Sequence, residues 1–95
     1  MTEERFLDEV MAAAGIITDD NDVIRQLRIK TLAVMHYINR GGGNISPETA
    51  TEYEIQAVAL GVNDLLNQNG CEYSEGFKAM AAQIQLGGGL NGGKT

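Results

Sequence analysis

The sequence predicts an all-α fold, a small bundle of about four helices with a central buried helix. Apolar residues recur at helical spacing along the chain, and no segment alternates apolar and polar residues over a convincing length. Glycines and helix-capping residues separate the helical segments from one another. The centre of the stretch at residues 48–67, residues 55–62, is nearly all apolar, and a helix that is apolar over most of its circumference is usually buried. The recurring apolar positions of this segment are Ile55, Val58, Ala59, Val62, Leu65 and Leu66.

Length and charge restrict the class of protein. A chain of 95 residues is enough for one domain. Its formal net charge of −6 argues against a dedicated nucleic-acid binder, because such domains are usually basic. No apolar run reaches the roughly 18 residues of a membrane-spanning helix, and the acidic start of the chain lacks the features of a signal peptide. The single cysteine, Cys71, cannot form a disulfide within the chain, which favours a reducing cytoplasm.

The bounds of the first two helices are predicted from capping residues. Helix one is expected over residues 3–14, between a Thr2 N-cap and Gly15, which suits the end of a helix. The acidic residues 19–22 then introduce a longer helix two, because negative charge is favourable at a helix N-terminus. Helix two is expected to continue to about Arg40, where consecutive glycines follow.

Helix two is predicted to carry apolar residues on more than one face. Its flanking faces hold Ile29, Leu32 and Met35, so this helix is expected to contact two neighbours. Its basic positions are Arg25, Arg28 and Lys30. The inner face is expected to consist of Val23 or Ile24, Leu27, Thr31, Val34 and Ile38.

The central helix is predicted to start at Ser46 as N-cap, with Pro47 at the first helical position. A glycine inside a helix costs about 1 kcal/mol relative to alanine, so Gly61 predicts the close approach of a neighbouring helix. Asn63 and Asp64 follow directly. Both are expected to face water or a neighbouring subunit.

A fourth helix is predicted after Ser74, which is its expected N-cap. From residue 87 the glycine-rich sequence is expected to form a flexible C-terminal tail. The predicted organisation is therefore one helical domain over residues 1–86 and a tail over residues 87–95. The apolar face of the fourth helix is expected to consist of Phe77, Met80, Ala81 and Ile84.

No motif in the chain predicts catalysis or a bound cofactor. Residues 88–95 match the letters of a phosphate-binding loop, but such a loop follows a strand, and none is predicted there. The acidic run at residues 19–22 lacks the glycine and glutamate of a calcium loop, and helix capping explains it. His36 and Cys71 are the only residues of their kinds, and we expect a packed or interfacial histidine rather than a catalytic pair. The sequence therefore predicts no enzyme, no metal site and no cofactor.

Three stretches resemble the small head–tail connector (adaptor) proteins of tailed bacteriophages and prophages. The acidic start of helix two, DNDVIRQL at residues 20–27, looks like the family's start of its long second helix. AVALGVNDLLN, at residues 57–67, is similar to the AIALGVNDLWN-like phrase of many connectors, with Leu66 in place of a frequent aromatic residue. YSEGF at residues 73–77 resembles the Phe-Ser-x-x-Phe-like pattern before the family's last helix. Together the resemblance covers residues 19–86.

The resemblance implies a structural protein with no enzymatic activity. Members of the family form a ring, commonly a dodecamer, beneath the portal protein at the capsid vertex. The ring joins the portal to a stopper or tail-completion protein, and DNA passes through its channel without sequence-specific binding. We therefore expect a location at the head–tail interface of the virion, and in the host cytoplasm during assembly. We expect no membrane partner.

The alternative function is a small helical regulatory module, of the antitoxin or anti-repressor type, that docks on a protein partner. A helix-turn-helix DNA binder is disfavoured by the acidic total and by the lack of a second basic cluster. For the connector, we predict that neighbouring subunits pair the basic face of helix two with acidic residues of the central helix. The candidate interface residues are Arg25, Arg28, Lys30, Glu52, Glu54 and Asp64.

Overall fold

A computed structural model describes residues 1–67 and 73–89 of the chain. Within these ranges there are four helices and no strand, so the predicted all-α bundle is confirmed. The helices are α1 (Glu3–Ala14), α2 (Asn21–Arg40), α3 (Glu52–Asn67) and α4 (Glu75–Gly89).

Local capping fixes the ends of α1 and the start of α2. The Thr2 hydroxyl accepts a hydrogen bond from the Arg5 N–H at 3.1 Å. Gly15 ends α1 with φ of 77°, a left-handed conformation that a glycine adopts without strain. At the start of α2, Asp20 Oδ1 accepts hydrogen bonds from the Asp22 N–H at 2.8 Å and the Val23 N–H at 3.2 Å. The predicted bounds of both helices are therefore confirmed.

The start of α3 differs from the prediction. Ser46 and Pro47 belong to a turn, in which the Thr49 N–H donates to the Ser46 carbonyl at 3.2 Å. The helix begins at Glu52 instead. There the Thr51 N–H donates to Glu54 Oε1 at 3.0 Å, and the Glu54 N–H donates to Thr51 Oγ1 at 3.2 Å. This reciprocal capping box satisfies two donors at once, which a Ser-Pro start does not.

The segment between α2 and α3 is part of the core rather than a simple connection. Ile45 is buried, and the Asn39 side chain holds it in place. The Asn39 Nδ2 group donates to the Ile45 carbonyl at 3.0 Å, and the Ile45 N–H donates to Asn39 Oδ1 at 2.8 Å.

The central position of α3 is confirmed, because α3 contacts each of the other three helices and more of its residues are buried than in α1 or α2. Gly61 is buried where α3 meets α2 and α4. A Cβ atom at position 61 would lie 2.7 Å from Phe77 Cε1 and 2.8 Å from Val34 Cγ1. The predicted close approach at this glycine is therefore confirmed. The core also contains Phe6, Val10, Leu27, Ile38, Ala57, Val58, Val62 and Ala81.

Asp64 does not face water, as the sequence suggested, but is buried, and the partly buried Asn63 bonds another helix. The Asn63 side-chain amide donates to the carbonyl of Ala14, the last residue of α1, at 3.2 Å. Asp64 is 9% exposed, and its Oδ2 accepts hydrogen bonds from the Ser74 N–H at 2.9 Å and the Ser74 hydroxyl at 2.8 Å. The reason is that helix ends leave backbone groups unpaired, and these two side chains supply partners.

The start of α4 agrees with the prediction and its end does not. Ser74 Oγ accepts a hydrogen bond from the Phe77 N–H at 3.2 Å, which confirms its capping role. The helix continues through Gly89, so its predicted end before residue 87 is wrong. Near that end, Gln85 Nε2 donates to the Ile38 carbonyl of α2 at 3.3 Å, which holds α4 beside α2. The predicted flexibility of the rest of the tail concerns residues 90–95, which lie outside the described residues.

Candidate functional site

Three of the six candidate interface residues already have partners within the chain. Arg28 Nη2 lies 3.0 Å from Glu3 Oε2 of α1. The Glu54 carboxylate is part of the capping box that starts α3. Asp64 is buried and bonded to Ser74, so it is not available on the exposed face of α3 where it was predicted. The proposed pairing of helix two with the central helix therefore cannot use all of these residues as predicted.

The remaining three candidates, Arg25, Lys30 and Glu52, make no ion pair among the described residues. Arg40, at the end of α2, also makes no ion pair with a described residue. Outside α2, each described cationic side chain has a carboxylate nearby: Arg5 pairs with Glu9 at 3.3 Å and Lys78 with Glu75 at 3.8 Å. The unpaired cationic side chains of the described part of the chain are therefore all on α2.

The outer face of α2 presents one continuous line of side chains, which we name the α2 seam: Arg25, Ile29, Leu32 and His36. The spacing of four, three and four residues places them on one side of the helix. Ile29 is 52% exposed and Leu32 is 47% exposed. His36 is exposed on this line, so it is not packed in the core. Met35, expected on a flanking face, is buried instead.

A second surface feature lies between α1 and the start of α3. It is an open groove of ≈ 640 Å³, which we name the α1–α3 groove. The small side chains of Ala12 and Ala13 leave space in this groove, and its carboxylates are Glu52, which has no ion pair among the described residues, and Glu9, which is paired with Arg5. Tyr53 is half-exposed beside it. The full lining consists of Glu9, Ala12, Ala13, Glu52, Tyr53, Ile55 and Gln56.

Among the described residues, the Thr31 hydroxyl is the one buried side-chain polar group that has no hydrogen-bond partner within the protein. It is 3% exposed and borders a small cavity of ≈ 30 Å³ between α1 and α2. The Arg28–Glu3 ion pair lies at the rim of this cavity. Its apolar walls are formed by Phe6, Leu7, Leu32, Met35 and Pro47. A buried hydroxyl without a partner is destabilising, because it gives up its hydrogen bonds to water.

Thr31→Val is therefore expected to stabilise the protein by about 1 kcal/mol, since valine has nearly the same shape and no hydroxyl. Urea unfolding monitored by circular dichroism measures this difference. Thr51→Val is the matched control, because it makes the same change at a hydroxyl that caps α3, and it should destabilise the protein by about 1 kcal/mol. A loss of stability in Thr31→Val would contradict the absence of a partner for this hydroxyl.

Metal-binding side chains do not cluster within residues 1–67 and 73–89. No group of three or more His, Cys, Asp or Glu side chains in this part of the chain could hold a metal ion. His36 lies on the α2 seam, and Cys71 lies outside the described residues. Among the described helices, none has both the length and the apolar character needed to cross a membrane.

Comparison of the chain with family models, with curated proteins and with solved structures finds no match.

Proposed function

We propose that this chain is a structural head–tail connector of a tailed bacteriophage or prophage. In this role it binds beneath the portal as a ring, joins the capsid to the tail and forms part of the DNA channel. The proposal carries no catalytic step and needs no cofactor. Its partners are further copies of the chain, the portal protein, and a stopper or tail-completion protein.

The observation that carries the proposal is the part played by residues 57–67, the most specific stretch of the resemblance. Gly61 admits Phe77 and Val34 at close range, and Asn63 and Asp64 bond the adjoining ends of α1 and α4. The residues that resemble the connector sequence are thus residues that hold the helices of this bundle together. Such residues are hard to change one at a time, which makes their occurrence together more informative than a shared apolar pattern.

The surface of the bundle supports the proposal in a second way. A subunit in a cyclic ring must present two different surfaces to its two neighbours. The α2 seam is apolar with an unpaired arginine, whereas the α1–α3 groove carries the unpaired Glu52 carboxylate, so the chain offers two surfaces of different chemistry. The net charge of −6 also suits a channel through which DNA slides, because like charges on protein and phosphate discourage binding.

The alternative, a regulatory module that docks on a protein partner, draws on the same α2 seam. An exposed apolar line on a helix is a common docking surface for another protein. The two functions differ in their partner: a connector binds a portal ring, and a regulatory module does not.

Sedimentation with portal rings tests the proposal. The purified chain is mixed with assembled portal from the same phage or prophage, and the mixture is centrifuged through a density gradient. We expect the chain to move with the portal and to remain at the top when portal is replaced by capsid protein. A chain that stays at the top in both mixtures, while circular dichroism shows that it is folded, would contradict the connector function.

A further inference from the structure

We infer that the α2 seam of one copy docks in the α1–α3 groove of a second copy, in a head-to-tail arrangement. The contact would link successive subunits of the proposed ring. Only the closure of that ring rests on the proposed function. Association of two copies needs only this chain.

Charge is the first argument for this contact. Arg25, on the seam, has no carboxylate within ion-pair distance in its own chain. Glu52, in the groove, is exposed and has no cationic partner among the described residues of its own chain. Docking the seam in the groove brings an unpaired cation to an unpaired carboxylate. Such pairs set register and orientation more than affinity.

Shape is the second argument. Ala12 and Ala13 leave little side chain in the groove, so the backbone of another helix can approach closely. The 20 residues of α2 form a rod about 30 Å long, which can lie along the junction of two helices. Ile29 and Leu32 are about half-exposed, and burial in the groove would remove their apolar surface from water.

The seam is poorly suited to pairing with itself. If two copies of α2 cross antiparallel near Leu32, Arg25 of each helix approaches the C-terminal end of the other helix, where Arg40 lies. If they lie parallel, Arg25 approaches Arg25. Both arrangements bring unpaired cations together, which is unfavourable. A different acidic surface on the second copy avoids this repulsion, and the groove is such a surface.

The contact should be weak for a single pair of subunits. One helix face buries less than the roughly 800 Å² per partner of a standard stable interface. We therefore expect concentration-dependent association in solution, strengthened when each subunit makes two such contacts in a closed ring. Because the contact is heterologous, open chains of more than two copies should also form.

Cysteine cross-linking tests the contact directly. In a Cys71→Ser background, Ile29→Cys marks the seam and Ala12→Cys marks the groove. We expect rapid disulfide formation when the two single variants are mixed, and slow formation when either is oxidised alone. A variant with both cysteines should give a ladder of dimers, trimers and longer species on a non-reducing gel. Gln83→Cys, on an exposed position of α4, replaces Ala12→Cys as the control and should not cross-link rapidly to Ile29→Cys.

Charge reversal adds a second measurement. Arg25→Glu in the Ile29→Cys chain should slow cross-linking to the Ala12→Cys chain roughly two- to fivefold, as expected for an exposed ion pair. Glu52→Arg in the Ala12→Cys chain should restore part of the rate. Arg25 is a better choice than Arg28, since reversal at Arg28 also breaks the Glu3 ion pair within the chain.

The inference would be overturned if Ile29→Cys alone cross-links as fast as the mixture, because the seam would then pair with itself. It would equally be overturned if the mixture cross-links no faster than the Gln83→Cys control. Neither result bears on portal binding, which the sedimentation experiment measures separately. A ladder without portal binding would instead leave the contact standing and contradict the connector function.

Discussion

Gly61→Leu is expected to lower the free energy of unfolding by about 2 kcal/mol or more. Position 61 has no room for a side chain, because even a Cβ atom would lie 2.7 Å from Phe77 Cε1 and 2.8 Å from Val34 Cγ1. Overpacking costs about 1–3 kcal/mol and occasionally more, and leucine adds four carbon atoms at a position with no room for one, so we expect a cost of about 3 kcal/mol or more, from which a gain of about 1 kcal/mol in helix propensity is subtracted. In a domain of this size the melting temperature should fall by about 10 °C. Thermal unfolding followed by circular dichroism measures the change.

Gly61→Ala and Gly76→Ala make a matched pair of controls for this result. A Cβ atom at Gly76 would meet its nearest neighbour, Leu60 Cδ2, at an ordinary 3.8 Å. Gly76→Ala should therefore leave stability unchanged or raise it slightly, whereas Gly61→Ala should already lower it. If Gly61→Leu melts at or above the temperature of the parent protein, the close packing of α2, α3 and α4 at this glycine is wrong.

Asp64→Ala is expected to destabilise the protein by about 2–3 kcal/mol, because hydrogen bonds to a charged group are among the strong ones. The substitution removes two hydrogen bonds to Ser74, one from its N–H and one from its hydroxyl. It also separates α3 from the capping residue of α4. Asp64→Asn keeps one acceptor oxygen and should lose less stability. Urea unfolding of the variants provides the measurement.

A double-mutant cycle with Ser74→Ala isolates this contact from the loss of the individual side chains. The losses in unfolding free energy of the two single variants, added together, should exceed the loss in the double variant by about 1 kcal/mol or more. Asp20→Ala is a useful comparison, since Asp20 caps its own helix and its removal should cost only about 1 kcal/mol. Additive losses at Asp64 and Ser74 would show that the two residues do not stabilise the bundle together.

The parts of the fold that local signals determine could be predicted from the sequence. The ends of α1 and the start of α2 depend on Thr2, Gly15 and Asp20, whose partners lie within three or four residues. The start of α3 could not be decided in the same way, because Ser46 and Thr51 both suit a helix N-cap. The choice depends on Ile45, whose burial and bonds to Asn39 leave residues 46–49 in a turn.

The candidate site was harder to predict because charge partners depend on tertiary contacts. Arg28 meets Glu3 and Asp64 meets Ser74 only once the helices have packed, so the sequence could not show that these charges are engaged. The α2 seam was available in the sequence as the spacing of Arg25, Ile29, Leu32 and His36. The groove was not, since α1 and α3 form it together.

Negative-stain electron microscopy of the chain with assembled portal tests the connector function most directly. If the chain is a connector, class averages should show an added ring, with a central hole, stacked on the axis of the portal. The ring should be absent from averages of portal alone and from a mixture with the unfolded chain. Portal particles that keep their original height and outline in the presence of excess folded chain would contradict the account.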